Sequence, residues 1–266
     1  MPTDFVNELL IQDTGPKHGP ATGRTWLRFP LVPLAELRAD GESLAMLAHA
    51  DQNLRGTLTR MIAERGHAPT MDELARRQGW TNEATEASLR RLHEAHALLL
   101  HPGGTRPWLV HPFALSPGSC WVATGALGYW ASCLYCAFGI AAALRRDATI
   151  TTRLGAEHET VTYRIRAGEV EGSTDIFHLS TPVAAWWDNV IHACASFQPF
   201  RSEGDVEDWC VRHALPRGAI LSLPALWLFA RDWYGAYLQE PWRKRTREEV
   251  RALFQRHGLT SAFWQF

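Results

Sequence analysis

The chain has 266 residues, enough to bury a sizeable core as one large domain or as a small module joined to a larger one. Hydrophobic residues make up 46% and charged residues 21%, the balance of an ordinary globular protein. With 27 basic residues against 28 acidic ones the net charge is -1, which argues against a nucleic-acid reader or a protein drawn to an anionic membrane by its own field.

The opening stretch MPTDFVNELLIQDTGPKHGP is mixed and polar, without the basic and then apolar run of a secretory signal. Apolar stretches such as Trp130 to Leu144 fall short of the roughly 20 residues that span a bilayer. A cytoplasmic location is expected. An odd number of cysteines, five, argues against a disulfide framework and leaves reduced thiols for metal binding or catalysis.

Residues 1–28 read as an arm broken by Gly15, Pro16, Gly19, Pro20 and Gly23. From Asp51 a helical period sets Leu54, Leu58, Met61 and Ile62 on one face and stops at Gly66. Thr70 and Glu73 have capping-box spacing ahead of a short helix through Arg77. A third helix is predicted from Thr81 to about His96, with Ala84, Ala87, Leu92 and Ala95 inward. ALLLHPGGTRPWLVHPF then reads as a strand, a Gly-Gly turn and a second strand. Three helices and a hairpin are the parts of a winged helix, expected over residues 29–116. Glu83, Glu86 and Glu94 against Arg90 and Arg91 suit phosphate poorly, so this unit reads as scaffold in preference to a DNA reader.

Beyond Pro117 a short strand is predicted in SCWVATG and a helix from Leu127 to about Arg145. Strands follow at Thr149–Arg153, Thr160–Arg166 and Ile176–Ser180, where β-branched and alternating residues dominate. Helices are predicted near Val183–Ala195 and Val206–His213, then a strand at Ile220–Leu223 and an aromatic helix from Pro224 to about Leu238. This second unit spans residues 117–239. A polar break leads to an extension, residues 240–266, with a helix ending near Gly258 and an aromatic tail. It packs across the second unit, or serves a homodimer contact if its aromatics stay exposed.

Two cysteines three residues apart, Cys133 and Cys136 in YWASCLYCAFGIAAAL, would share a helix face. Cys194 lies in NVIHACASFQPF, while Cys120 and Cys210 stand beside tryptophans and read as packing residues. Buried free cysteine is common and usually inert. Soft thiolates gathered in an apolar pocket instead favour a soft, low-coordinate metal. Trp130, Trp186, Trp187 and Trp209 lie near these motifs in sequence and could wall such a pocket, although core packing is the commoner use of tryptophan.

The sequence resembles the alkylmercury lyase (organomercurial lyase) family. YWASCLYCAFGIAAALRRDATITTRL is similar to its first cysteine motif and the strand after it, IHACASFQPFRSEGDVEDW to its second cysteine and acidic-Trp helix, and GAILSLPALWLFARDWYGAYL to its closing strand and helix. The resemblance covers about Leu31 to Gln239. It implies an α+β fold: a winged-helix-like three-helix unit followed by a domain with a small, mostly antiparallel sheet and flanking helices. It places Cys133 and Cys194 on the family's two catalytic cysteines. Cys136 stands where the family has an aspartate that handles the proton.

Cleaving a carbon–mercury bond needs a soft nucleophile for the metal and an acid for the leaving carbon. Cys136, His192 and Asp188 are the candidate acids. Two readings follow: an organomercurial-lyase-like enzyme using Cys133, Cys194 and Cys136, which also bind the metal, or a thiolate protein that holds Hg(II) or Cu(I) without cleavage or acts on a non-mercury substrate. A metal-sensing regulator fits the charge balance less well. No cofactor is required. The soft metal enters as substrate, product or ligand, and the expected partners are a small organometallic or soft-metal ligand and small thiols, with no nucleic acid and no membrane.

Overall fold

The computed structural model describes residues 47–266. The expected arm over residues 1–28, and the beginning of the 29–116 unit, lie outside the described residues. Helix α1 (His49–Arg65) buries Leu54, Leu58, Met61 and Ile62 as its periodicity predicts, and Gly66 ends it at φ 80°, its N–H bonding back to the Ile62 carbonyl. Helix α2 (Met71–Gln78) starts at the Thr70–Glu73 capping box, with both reciprocal bonds made. Helix α3 (Asn82–Glu94) and the residue that ends it bury Leu92 and Ala95 as expected, but its first turns present a different face. Ala84 and Ala87 are exposed, and Thr85, Ser88, Leu89 and Leu92 are buried.

The cause is Asp51, buried on α1. It accepts from Ser88 Oγ at 2.6 Å and from two Arg91 nitrogens at 2.9 and 2.7 Å, which rotates the polar side of α3 toward α1. Burial alone would raise the Asp51 pKa, but the bonds from Arg91 and Ser88 outweigh it and the net direction is down. A depressed carboxylate contributes stability above its ordinary value, about 4, and loses that contribution as pH falls through its folded value. Asp51→Asn is therefore expected to flatten the acid limb of stability against pH, measured as the urea midpoint from pH 7 down to about 3. A limb as steep as the wild type's would remove Asp51 as a source of it.

Eight antiparallel strands form the larger sheet: β1 (Leu99–Leu100), β2 (Pro107–Val110), β3 (Phe113–Ala114), β4 (Cys120–Thr124), β5 (Leu127–Ala131), β6 (Ala148–Arg153), β7 (Thr160–Arg166) and β8 (Glu169–Val170), in the order β1-β2-β3-β5-β4-β6-β7-β8. The hairpin after α3 thus continues, through β3, into the sheet of the second unit. Leu127 to Ala131 is strand β5 and not the first turns of a helix, as the apolar run had suggested. Val122 faces Tyr129 across the β4–β5 pair, and Tyr129 and Ala131 alternate into the core. Gly128 permits this: a Cβ there would lie 2.0 Å from the Trp121 ring, which lies across the strand. Helix α4 (Leu134–Leu144) consequently begins just after Cys133.

The smaller sheet, in the order β10-β9-β11, contains β9 (Ile176–Leu179), β10 (Gln198–Phe200) and β11 (Ala219–Ser222). β10 is not anticipated by the sequence reading. The helix expected over Val183–Ala195 divides into a 3-10 turn (Val183–Ala185) and helix α5 (Val190–Ala195), restarted by the Asn189 side chain, which accepts from the His192 N–H at 3.0 Å. Helix α6 (Glu203–His213) follows β10, and helix α7 (Leu223–Tyr234) follows β11. α7 lies against α4, where Gly139 leaves room for the Tyr234 ring; a Cβ at Gly139 would sit 2.3 Å from Tyr234 Cδ2. Helix α8 (Arg247–Arg256), the segment before it and the tail bury Trp242, Leu253, Phe254 and Trp264 in the main core, so these aromatics pack across the protein. No helix among the described residues is long and apolar enough to cross a membrane.

Candidate metal-thiol site

Cys133, Cys136 and Cys194 arrive from two places. Cys133 is the extended residue that caps the N-terminus of α4, Cys136 lies in the first turn of that helix, and Cys194 is on α5. They are 1%, 1% and 6% exposed, and all five cysteines of the chain are free thiols. Sγ of Cys136, Sγ of Cys194 and a ring nitrogen of His111 lie within 4.8 Å of one another. Cys133 is buried in the same pocket and interacts with both Cys136 and Cys194. The three sequence-predicted cysteines therefore meet, and His111, in the loop between β2 and β3, joins them.

The cluster is electrostatically asymmetric. Hydrogen bonds from Cys133 and Cys194 hold the Cys136 thiol well below the ordinary cysteine range, against burial, with help from His111 and Ser132. Ser132 Oγ donates to Cys136 Sγ at 3.6 Å, and the Tyr234 hydroxyl stands 4.0 Å from the same sulfur. A first-turn position, facing the unsatisfied N–H groups of the helix, favours a thiolate in the same direction. Burial, with the hydrogen bonds to Cys136 and Cys194, pushes Cys133 well above the range, and Cys194 is also raised. One anion centred on Cys136, with protons kept on its two neighbours, is the arrangement these shifts describe.

His111 is held from behind. Arg55 on α1, only 2% exposed, donates through Nη2 to the His111 carbonyl at 2.9 Å and through Nε to the Ala97 carbonyl at 2.9 Å. Its guanidinium carbon lies 3.9 Å from the Trp242 ring centroid and 5.1 Å from that of Tyr237. No carboxylate among the described residues pairs with it. Burial brings the Arg55 pKa down to about 10, which leaves it charged at neutral pH. Trp187 meets the His111 ring edge-on at 5.8 Å and stacks on His96 at 4.8 Å.

The alternative acids proposed from sequence do not join this group: His192 and Asp188 are both exposed and fall outside the ligand cluster. Cys120 bonds to Thr152 Oγ1 at 3.3 Å and Cys210 approaches His178 Nε2 at 3.7 Å, consistent with packing roles. Of the four tryptophans, Trp187 reaches the cluster through His111. Trp209 belongs to a separate small core with Phe200, Val206 and Cys210, Trp186 packs on Phe197 and Trp264, and Trp130 meets Trp121. His111 and Arg55 escaped the sequence reading. A histidine before proline and an arginine on an amphipathic helix have no spacing that ties them to distant cysteines.

Residues 113–235 match the model of the alkylmercury lyase (MerB) family. The matched segment contains Cys133, Cys136 and Cys194 and leaves out His111 and Arg55. A solved structure, the crystal structure of the mercury-bound form of MerB2, is similar in fold, with a TM-score of 0.59 at 16% identity, covering 73% of this chain and 94% of that one. A comparison with curated proteins finds no match.

Proposed function

We propose that this chain, which carries an alkylmercury lyase segment over residues 113–235, cleaves the carbon–mercury bond of an organomercurial by thiolate capture and protonolysis. The observation that carries the reading is the gathering of buried free thiols, Cys133 and Cys136 at the start of α4 and Cys194 on α5, with the thiolate form favoured at Cys136. Residues 117–239 are the catalytic unit in this reading, and the winged-helix-like region before them is its scaffold. A reducing, cytoplasmic setting would keep the thiols in the required state.

The chemistry balances on the chain's own groups. The Cys136 thiolate displaces the ligand of an organomercury cation and forms the first sulfur–mercury bond. The thiol of Cys133 or Cys194 then gives its proton to the carbon while its sulfur forms the second bond to mercury. The carbon–mercury bond breaks, a hydrocarbon leaves, and a neutral bis-thiolate mercury remains for removal by small thiols. The proton that the resemblance assigns to a carboxylate at position 136 comes in this reading from Cys133 or Cys194, while Cys136 attacks.

The test is anaerobic incubation of reduced protein with phenylmercury and excess small thiol, following benzene release. Wild type is expected to release benzene, and Cys133→Ser to release it more slowly. Mercury binding without any hydrocarbon release would overturn cleavage. The third thiol favours the second reading, a protein that holds Hg(II) or Cu(I) without cleaving, and a gain of turnover in Cys136→Asp would identify it.

A further inference from the structure

We infer that His111 is a nitrogen ligand of the thiol site, which makes the site a mixed imidazole–thiolate binder of closed-shell soft and borderline cations, the mercury ion left after cleavage among them. This deepens the proposed function and rests on its reading of the cysteines as a soft-metal site. The segment matched to the alkylmercury lyase family starts at residue 113, so that match does not place His111 at the site.

Three observations carry it. The first is distance: a ring nitrogen of His111 and the sulfurs of Cys136 and Cys194 all lie within 4.8 Å of one another. A tetrahedral ion with metal–sulfur bonds of about 2.3 Å and metal–nitrogen bonds of about 2.0–2.1 Å holds its ligand atoms about 3.5–3.8 Å apart, so side-chain rotation of roughly an ångström closes the site. The second is the donor set. With Cys133 buried beside them, two sulfurs and one imidazole nitrogen converge with no carboxylate in the cluster, a combination suited to zinc-like and softer ions and not to hard ones.

The third is support. A ligating histidine is normally fixed in orientation by what surrounds it. Here Arg55 anchors the His111 carbonyl at 2.9 Å, and the Trp187 ring meets the imidazole edge-on at an interplanar angle of 76°. His111 comes from a sheet loop and the cysteines from two helices, so a bound ion would join three separate elements of the fold.

The probe is Cd(II), added in stoichiometric amount to the reduced full-length protein. Nitrogen-labelled protein loaded with a spin-active cadmium isotope is expected to show a through-bond coupling between the metal and one imidazole, together with ultraviolet thiolate-to-metal absorption. His111→Gln should abolish the coupling while keeping the absorption. It should weaken Cd(II) binding by at least the roughly tenfold that losing even an outer partner of a metal ligand costs. Thiolate absorption in wild type without any imidazole coupling would overturn the role of His111 and leave the thiol site standing. No thiolate absorption at all would overturn both. Coupling without benzene release in the phenylmercury assay would keep His111 as a ligand and remove cleavage.

Discussion

Cys136→Ser is expected to slow single-turnover hydrocarbon release from phenylmercury by on the order of a thousandfold or more, the scale of losing an attacking nucleophile. A serine hydroxyl is not ionised at neutral pH, and its hard oxygen is a poor partner for a soft metal. The substitution also removes the site at which four influences converge: hydrogen bonds from Cys133 and Cys194, the nearby His111, and the Ser132 hydroxyl at 3.6 Å. The sign of the pH effect follows. A thiol whose pKa is depressed is a thiolate above its folded value and is protonated only as pH falls through it. Raised thiols stay protonated through the ordinary cysteine range near about 8.5. Ultraviolet thiolate absorbance of the wild type should therefore retain one thiolate well below that range, and Cys136→Ser should lose it. Wild-type cleavage and an unchanged thiolate signal in the variant would place the anion, and the attack, on another cysteine.

The contrast between Cys133 and His111 shows what the chain discloses unaided. Cys133, Cys136 and Cys194 were legible because they lie in motifs whose order and spacing resemble a known family, and local periodicity placed α1, α2 and most of the central strands. From sequence alone the helix around Cys133 starts too early, because Leu127 to Ala131 is apolar enough for either structure. Only its pairing with β4, a contact with another strand, decides for β5. Leu92 and Ala95 read correctly as inward while Ala84 and Ala87 do not, for a related reason: the buried carboxylate that bonds Ser88 sits on α1, 37 residues away in sequence. His111 and Arg55 are harder still. Their roles come from α1, the β2–β3 loop and the segment after α7 meeting in space, and no local pattern encodes that meeting.

Arg55→Met should destabilise the protein by roughly 2–5 kcal/mol, the range for stripping a buried hydrogen-bonding cation from its partners. Methionine fills much of the same space, so the cost is chiefly polar. The Ala97 and His111 carbonyls, each accepting at 2.9 Å, would lose a buried donor, and Trp242 and Tyr237 would lose the cation between them. Relief from burying a guanidinium without a carboxylate among the described residues opposes these losses, which is why the range does not run higher. Arg55→Lys should also destabilise. It keeps the charge but has no planar fork to reach two carbonyls while lying flat on the tryptophan. The measurement is the urea midpoint at constant slope, with slope changes reported separately as altered compactness. A Met variant within about half a kcal/mol of wild type would mean that burial of the charge cancels its hydrogen bonds. Cd(II) binding by that same variant would then show how far the backbone anchor behind His111 governs the ligand in front of it.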